Sequence, residues 1–349
     1  MKTILVLGAG LSSSSMIRYL LDNSVEYNWK VRIVDQNIDL VKSKINGHPN
    51  GFALSFNALD QNERLPEIEQ AELVVSMLPA RFHLDVAEDC IATKTNLITP
   101  SYISEEMKAL DSRAKEAGII IMNEIGVDPG IDHMSAMKII HDIKDRGGKL
   151  KSFKSFCGGL IAPESDNNPW NYKFTWNPRN VVLAGQGGAA CFLRNNTFKY
   201  IPYNRLFGRL HDVQVEGYGD FVGYANRDSL SYRATYGIED IPTIFRGTLR
   251  RPGYCKAWDV FIELGMTDDS YKMVNTENLT PRTFLNSFLP YNPDRLVENK
   301  FKDFLRTERM GSFDRFKWLG LFEDEPLVGI ENASPAQVLQ KILVDKLSL

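Results

Sequence analysis

Short, continuously apolar runs alternate with helix-like stretches through residues 1–124, and this alternation restricts the fold more than any other feature. Five runs are rich in Val, Ile and Leu: 3–8, 30–35, 72–79, 95–100 and 118–124. Strands that are apolar on both faces are typical of a parallel sheet covered by helices on both sides. The last helix-like stretch has Ser104 as its N-cap and Gly118 at its end. The pattern therefore predicts an α/β fold with a doubly wound parallel sheet.

A glycine turn follows the first apolar run directly and leads into a helix-like stretch. Gly8 and Gly10 have G-x-G spacing, and Leu11, Ser12 and Ser13 continue the turn, with serine where a third glycine often stands. Backbone N–H groups and the helix dipole at such a turn face a pyrophosphate group. The turn therefore predicts a dinucleotide site. The alternative is a tight turn that only saves space.

Asp35 ends the second apolar run, at the distance from the turn where an acidic residue binds the ribose hydroxyls of NAD. A carboxylate at this point repels a 2′-phosphate. The sequence therefore favours NAD over NADP as the cofactor. The alternative is an aspartate that caps a loop.

Composition argues against several other classes of protein. The formal net charge is −3 and the pI is near 6.0, with no run of Lys and Arg among aromatic residues, so we expect no nucleic-acid partner. Four cysteines lie far apart without a C-x-x-C pair, which argues against zinc and against a disulfide framework and fits a reducing cytoplasm. The first apolar run is too short for a signal peptide or a membrane span. We expect a cytoplasmic protein with no membrane partner.

Three carboxylates recur at four-residue spacing around a Pro-Gly break: Glu124, Asp128 and Asp132. Such a stretch can form a metal site, an acid/base cluster or a turn that starts a helix. An apolar stripe over residues 131–143 predicts that a helix starts after Gly130, with Asp132 in its first turn, where its charge suits the helix dipole.

His133 and His141 lie on this predicted helix without the i, i+4 spacing that two metal ligands on one face need. A packed or solvated role is favoured for both, and we predict no metal site. The residues of the apolar stripe are Ile131, Met134, Met137, Ile140 and Ile143.

The second half of the chain holds a strand-like segment, an aromatic segment and an arginine-rich segment. Residues 149–164 alternate like a strand and run into a Gly-Gly pair, and residues 168–180 are polar and aromatic, which predicts a loop at the wall of a site. Seven arginines and no lysine follow: Arg205, Arg209, Arg227, Arg233, Arg246, Arg250 and Arg251. Guanidinium groups bind carboxylates in a bidentate way, so the set predicts a substrate with more than one carboxylate. Solvated surface arginines are the alternative.

Four strings of this sequence resemble the saccharopine dehydrogenase (saccharopine reductase) family, in its glutamate-forming branch. They are MNEIGVDPGIDHM, KSFKSFCGGLIAPESDNNPWNYKFTWNPRNVVL, GYANRDSLSYRATYGI and FRGTLRRPGY, and the similarity covers essentially the whole chain. The resemblance implies a Rossmann domain over residues 1–127 and a second α+β domain for substrate binding and dimerisation over residues 128–349. The implied reaction converts saccharopine, NAD(P)⁺ and water to glutamate, aminoadipate semialdehyde and NAD(P)H, a step of lysine metabolism.

The resemblance also implies roles for single residues. Asp128 and Cys157 match ionisable groups beside the reacting carbon, and Asp128 is the preferred acid/base. The residues that match substrate contacts are Ser101, Tyr102, Asp128, Arg227, Thr248, Leu249 and Arg250. The predicted cofactor contacts are the turn residues and Asp35 named above, with Leu78, Pro79, Ser101, Val127, Thr175 and Asn177. Lys173 matches the same stretch, where Thr175-Trp176-Asn177 stands in place of the family's usual Ser-Trp-Ser.

The implied chemistry is hydride transfer to nicotinamide followed by hydrolysis of an imine. The substrate amine and then a water molecule must lose a proton, which requires an acid/base group within hydrogen-bond reach. Two alternatives are an enzyme like carboxynorspermidine dehydrogenase and a non-catalytic NAD-binding redox sensor. An arginine-rich site disfavours the first, because a polyamine substrate requires acidic pockets.

Residues 334–349 predict a helix with Ser334 as N-cap and Pro335 at its first position. The family pattern continues beyond such a helix, so we expect a truncated chain or an abbreviated member. We expect this chain to self-associate and to be less active than a longer version, because strand edges and apolar surface need a cover. The resemblance also favours a homodimer.

Overall fold

The computed structural model describes residues 1–184, 186 and 188–348. The chain divides into two compact units, Met1–Ile139 and Ile140–Leu349, called unit 1 and unit 2 below. This division by compactness falls inside one helix, Ile131–Asp145. The functional boundary between residues 127 and 128 stays a prediction.

Unit 1 is built on a six-stranded sheet in which every pairing is parallel. Its strands are β1 Lys2–Leu7, β2 Trp29–Val34, β3 Gly51–Leu54, β4 Leu73–Ser76, β5 Asn96–Ile98 and β6 Ile121–Met122. The order β3-β2-β1-β4-β5-β6 is that of a doubly wound sheet, which confirms the predicted fold class. The predicted set lacks β3, because the sequence GFAL holds no run of branched residues.

Both faces of this sheet are covered by apolar cores. Leu5 and Leu7 of β1 belong to the core on one side, and Ile4 and Val6 belong to the core on the other. Successive side chains of a strand point to opposite faces, so a strand buried on both faces must be apolar at every position. This is why β1 reads as an uninterrupted apolar run.

The helices that contribute to unit 1 are α1 Ser14–Asp22, α2 Ile38–Ile45, α3 Gln61–Ile68, α4 His83–Thr93, α5 Glu105–Ala109, α6 Asp111–Ala117 and α7 Ile131–Asp145. The stretch that begins at Ser104 was predicted as one helix but forms two, α5 and α6, because a turn at Leu110 separates them. Ser104 caps α5 by accepting a hydrogen bond from the Met107 N–H at 3.2 Å, and Gly118 ends α6, as predicted.

The predicted helix after Gly130 is present as α7, and its predicted apolar stripe is confirmed at Ile140 but not along its whole length. Ala136 and Ile140 are the buried residues, whereas Ile131 and Met134 are exposed. The stripe was assigned from the largest apolar residues, so it omitted the buried Ala136.

Unit 2 contains a second six-stranded sheet. Its strands are β7 Phe153–Cys157, β8 Ala190–Arg194, β9 Thr197–Ile201, β10 His211–Val215, β11 Gly219–Ala225 and β12 Ile244–Arg250. The order is β10-β11-β12-β8-β9, and β7 pairs in parallel with β12 while the other pairings are antiparallel. A mixed sheet with helices confirms the predicted α+β character of the second half.

The helices of unit 2 that follow α7 are α8 Pro178–Val182, α9 Tyr232–Thr235, α10 Tyr254–Glu263, α11 Pro281–Ser287, α12 Val297–Arg309, α13 Phe313–Trp318 and α14 Pro335–Leu347. Ser334 accepts a hydrogen bond from the Gln337 N–H at 3.3 Å and donates its own N–H to the Gln337 side chain at 2.9 Å, which confirms the predicted N-cap. Within residues 1–184, 186 and 188–348, none of the helices combines the length and apolar character needed to cross a bilayer.

The core of unit 2 is aromatic, and it corrects one prediction about residues 168–180. Trp170, Tyr172 and Phe174 are fully buried core residues, whereas the sequence suggested a segment unlike a core element. Trp170 stacks on Phe261 of α10 with ring centroids 5.6 Å apart. The segment up to Asn177 is an irregular loop, as predicted, and α8 begins at Pro178. The alternation of polar and aromatic residues concealed the burial of the aromatic side chains.

A buried histidine connects the loops that follow β4 and β5. His83, the first residue of α4, has its Nδ1 atom 2.9 Å from the Ser76 hydroxyl and its Nε2 atom 2.8 Å from the Ser101 hydroxyl. Burial lowers the pKa of His83 to about 4, so the ring is neutral at physiological pH and has one donor and one acceptor nitrogen. The imidazole therefore holds the Ser101 hydroxyl in place.

This neutral histidine predicts a pH-dependent stability. The unfolded chain binds a proton at His83 below its usual pKa of 6.5, whereas the folded chain does so only near 4, so stability is lost as the pH falls below 6.5. Between about pH 7.5 and about pH 5 we expect the free energy of unfolding to drop by about 2 kcal/mol more in the unmodified protein than in His83→Gln. Urea unfolding followed by circular dichroism at both pH values measures this difference.

His141→Gln is the matched control, because His141 is exposed on α7. It should keep the pH dependence of the unmodified protein. An unchanged pH dependence in His83→Gln would show that the buried imidazole is not the group that titrates.

Candidate active site

The predicted glycine turn joins β1 to a short 3-10 turn, Leu11–Ser13, that leads into α1. Gly8 has a φ of +101°, and a Cβ atom there would lie 3.1 Å from the Met77 carbonyl oxygen, so both the backbone conformation and the close approach require glycine. Among the residues that the structure describes, and apart from the chain neighbours of Gly10, no atom lies within 4 Å of the position that a Cβ there would take. Gly10 precedes the 3-10 turn and has no side chain, and the Ser13 hydroxyl makes no capping hydrogen bond at the start of α1. An open, uncapped helix start fits the pyrophosphate of a dinucleotide.

Asp35 lies one residue beyond β2 and connects that strand to the glycine turn. Its Oδ2 atom accepts a hydrogen bond from the Ala9 N–H at 2.9 Å, and its Oδ1 atom accepts one from the Asn37 N–H at 3.0 Å. The carboxylate thus contributes to the shape of the turn and leaves a negative charge beside it. The structure brings these two sequence-predicted elements together.

Two further predicted cofactor residues, Leu78 and Pro79, follow β4. The backbone of Leu78 packs beside Gly8, with its nitrogen 3.5 Å from the position of a Cβ there. Pro79 is exposed and precedes a 3-10 turn, Ala80–Phe82, that leads into α4. Ser101, after β5, is tied to the same region through His83.

Sequence reasoning missed His83 and Lys44, which contact predicted site residues. Lys44, on α2, donates a hydrogen bond to the Ser13 hydroxyl at 3.0 Å and another to the Gly10 carbonyl oxygen. The contacts of Lys44 with the glycine turn and of His83 with Ser101 join residues that are distant in the chain. Neither Lys44 nor His83 belongs to a recognisable motif. No local signal in the sequence could have identified them.

Asp128 is hydrogen-bonded to Tyr102, another predicted site residue of unit 1. The Tyr102 hydroxyl donates to Asp128 Oδ1 at 2.6 Å, a short charge-assisted bond. The loop that carries Asp128 is closed by a bond from the Gly126 N–H to the Pro129 carbonyl at 2.9 Å. Gly130 has a φ of +147°, and any Cβ there would overlap the Gly126 carbonyl oxygen. The loop therefore fixes the backbone on both sides of Asp128.

The other two carboxylates of the stretch bind backbone groups. Glu124 accepts a hydrogen bond from the Ile103 N–H at 3.0 Å, and Asp132 accepts one from the Gly130 N–H at 2.8 Å. His133 lies between them, 3.4 Å from Glu124 and 3.5 Å from Asp132. These contacts support the loop and the start of α7. Val127, a predicted cofactor residue, is 62% exposed on the same loop.

In unit 2, the parallel pairing of β7 with β12 sets Cys157 opposite Thr248. The Thr248 hydroxyl donates to the Asn226 side-chain oxygen at 2.7 Å. The Gly158 backbone packs against Leu249, and Gly159 faces Thr175. The fold thus gathers four of the predicted residues of this unit, Cys157, Thr175, Thr248 and Leu249, around the ends of β7 and β12.

Arg250, the last residue of β12, is a buried positive charge in an aromatic cage. It is only 5% exposed, and its guanidinium carbon lies 5.2 Å from the ring centroid of Tyr172, 5.8 Å from that of Tyr224 and 5.3 Å from that of Tyr254. Burial raises the pKa of Tyr172 to about 12 and that of Tyr254 well above its usual range, while Arg250 lowers both, so these phenols are neutral at physiological pH.

The hydrogen bonds of Arg250 leave its charge without a carboxylate partner among the described residues. Its Nη1 atom donates to the Leu249 carbonyl at 2.8 Å, and its buried Nε atom has no hydrogen-bond partner within the part of the chain that the structure describes. Buried arginines are usually paired with an acid. Arg250 is therefore suited to bind an anion from outside the chain.

The other predicted residues of unit 2 have separate environments. Arg246 stacks on Tyr232 at 3.9 Å and Arg251 stacks on Phe221 at 4.4 Å, whereas Arg227 is exposed. Asn177 caps α8 by accepting a hydrogen bond from the Arg179 N–H at 2.9 Å. Lys173 is half-buried between two core aromatic residues. The arginines are thus not equivalent, and the anion-binding interpretation rests on Arg250.

Comparison with known proteins gives the same picture for both halves of the chain. Residues 4–122 match the family model described as "Saccharopine dehydrogenase NADP binding domain", and residues 126–349 match "Saccharopine dehydrogenase C-terminal domain". Unit 1 therefore contains a pyridine-nucleotide-binding domain.

Relatives extend this similarity over nearly the whole chain. The "Saccharopine dehydrogenase [NADP(+), L-glutamate-forming]" of Pyricularia oryzae is 32% identical over 95% of this chain and 74% of its own length. The mouse protein "Alpha-aminoadipic semialdehyde synthase, mitochondrial" is 35% identical over 99% of this chain, but this covers only 38% of the mouse protein.

A solved structure is also similar. The apo saccharopine dehydrogenase (L-Glu forming) of Saccharomyces cerevisiae matches with a TM-score of 0.86 and 30% identity, over 100% of this chain and 78% of that one. Both family models, the fungal relative and this structure agree with the resemblance first seen in the sequence. The chain therefore belongs to the saccharopine dehydrogenase family of oxidoreductases.

Proposed function

We propose that this protein oxidises saccharopine with a pyridine nucleotide and water to glutamate and aminoadipate semialdehyde. The observation that carries the proposal is Arg250, a buried guanidinium without a carboxylate partner in the described residues, in a chain whose relatives are named for saccharopine. Saccharopine has three carboxylates, and a buried arginine is suited to one of them. Arg227 is proposed as a second carboxylate contact.

In the proposed mechanism, the residues of the chain bind and orient the substrate and move protons. Asp128 removes a proton from the secondary amine of saccharopine, because only a neutral amine can lose hydride readily. The nicotinamide cofactor, when bound, accepts that hydride. Asp128 then assists a water molecule that attacks the resulting imine, and the carbon–nitrogen bond breaks to release glutamate and the semialdehyde.

Tyr102 and Ser101 support this chemistry in the proposal. The 2.6 Å hydrogen bond from Tyr102 orients the Asp128 carboxylate, and His83 holds the Ser101 hydroxyl. Cys157 is a second ionisable candidate, adjacent to Thr248 on the neighbouring strand. Asp128 is preferred, because a carboxylate is a common general base in enzymes whereas a thiol must first be activated.

For the cofactor, Asp35 supports NAD, since its negative charge at the glycine turn repels a 2′-phosphate. The relatives named for NADP(+) point in the other direction. The proposal of NAD therefore rests on this one carboxylate, and direct titration decides between the two nucleotides.

An assay with saccharopine and Asp128→Asn tests the reaction and its acid/base residue together. We expect the unmodified protein to reduce NAD or NADP when saccharopine is added, and Asp128→Asn to lower turnover by at least about a hundredfold with little change in nucleotide affinity. Absorbance of the reduced nucleotide measures the rate, and chromatography of the products identifies glutamate.

Asp132→Asn is the control, because its amide oxygen can still accept the hydrogen bond from Gly130. It should retain most of the activity. Nucleotide binding without any oxidation of saccharopine would rule out the proposed reaction and favour a sensor or an enzyme for another substrate.

A second prediction concerns Arg250. The substitution Arg250→Lys should raise the KM for saccharopine by about tenfold or more. A lysine ammonium is a point charge and cannot form the bidentate hydrogen bonds that the planar guanidinium offers to a carboxylate. Steady-state kinetics with saturating nucleotide measure this change. Arg251→Lys, at the neighbouring position over Phe221, should leave KM nearly unchanged. If Arg250→Lys changed only the affinity for the nucleotide, Arg250 would not be a substrate contact.

The cofactor prediction uses Asp35. We expect NAD to bind more tightly than NADP, and Asp35→Ser to narrow the difference by about tenfold, because the substitution removes the charge but keeps an oxygen acceptor for Ala9. Calorimetric titration with each nucleotide gives both dissociation constants. Asp39→Ser, on the exposed side of α2, is the control. Tighter binding of NADP by the unmodified protein would refute the proposed preference.

A further inference from the structure

Lys44 reaches from α2 to the glycine turn and contacts it at two residues, Gly10 and Ser13. Its ammonium group donates to the Gly10 carbonyl oxygen and to the Ser13 hydroxyl, the latter at 3.0 Å. These contacts join residues 34 and 31 positions apart in the sequence. The side chain is half-buried, so its position is restricted by packing as well as by hydrogen bonds.

The same ammonium group lies within the electrostatic influence of Asp35. Burial lowers the pKa of Lys44, and the attraction of the Asp35 carboxylate opposes that shift. Asp35 itself is held at the turn by the N–H groups of Ala9 and Asn37. A positive and a negative side chain therefore both converge on the segment where a dinucleotide would bind.

These two charges have different consequences for the two nucleotides. NAD and NADP differ only in the 2′-phosphate of the adenosine ribose, and an acidic residue beside the turn is the group expected near that ribose. Asp35 alone would repel the extra phosphate strongly. A nearby cation lowers this repulsion for NADP and has much less effect on NAD, which lacks the phosphate.

We propose that Lys44 is a specificity-determining residue whose charge allows this protein to bind NADP in spite of Asp35. The inference rests on the proposed function only for nucleotide binding and does not depend on the substrate. It also accounts for a carboxylate at the position typical of NAD-binding proteins in a chain whose relatives are named for NADP(+). Selectivity is then set by the balance of Asp35 and Lys44.

Calorimetric titration of NAD and NADP into Lys44 variants, without saccharopine, tests this inference. Lys44→Gln keeps a donor for Gly10 but removes the charge, and it should weaken NADP binding by about tenfold while changing NAD binding by less than about twofold. Lys44→Met, which removes the donor as well, should shift the ratio of the two dissociation constants in the same direction. Lys44→Arg should keep the ratio close to that of the unmodified protein.

Lys42→Gln is the matched control, because Lys42 is exposed on the same helix. It should leave both affinities unchanged. Equal weakening of NAD and NADP in Lys44→Gln would mean that Lys44 only supports the turn, and unchanged affinities would mean that it has no role; either result overturns the inference. Intact nucleotide binding with no oxidation of saccharopine would instead refute the proposed reaction and leave the result for Lys44 valid.

Discussion

Parallel strand pairing in unit 1 determines where the predicted cofactor residues that follow β1, β2, β4 and β5 lie. The register pairs Leu7 with Val34 and Leu7 with Ser76, so β1, β2 and β4 end in one row, and β5 ends beside them. Residues that follow these strands must therefore emerge at the same edge of the sheet. The glycine turn, Asp35, the Leu78 segment and Ser101 are separated by tens of residues in the chain, yet a single row of hydrogen-bonded strand ends collects them.

Unit 2 depends on a different constraint, the packing of aromatic rings. Trp170 contacts Tyr254, Trp258, Phe261 and Phe316 in stacked and edge-to-face geometries. Tyr254 is also one wall of the Arg250 cage, so the guanidinium is held by rings that are themselves fixed in the core. Cation–π contacts compensate part of the cost of burying the charge without neutralising it. The rigid core thus makes a persistent positive charge possible at the end of β12.

The sequence was sufficient for the fold class, the glycine turn and most strands of unit 1, because both-sided burial leaves a strong apolar signal. It was insufficient for β3, a short edge strand, and for the burial of the aromatic residues at 170–174, because these residues alternate with polar ones in an irregular segment. Asp128 was identifiable only through resemblance, since three similarly spaced carboxylates look alike until their partners are known. Lys44 and His83 could not be found, because their meaning lies in contacts with residues distant in sequence.

The closed loop around Asp128 has a practical consequence for engineering of substrate scope. Gly126 and Gly130 approach each other so closely that a side chain at Gly130 would overlap the Gly126 backbone, so a substitution there would displace the loop. Val127 and Ile125, by contrast, are largely exposed on the same segment. A saturation library that keeps both glycines and varies residues 125 and 127 would therefore change exposed side chains next to Asp128 in the sequence. The backbone conformation that carries Asp128 would be preserved in every member.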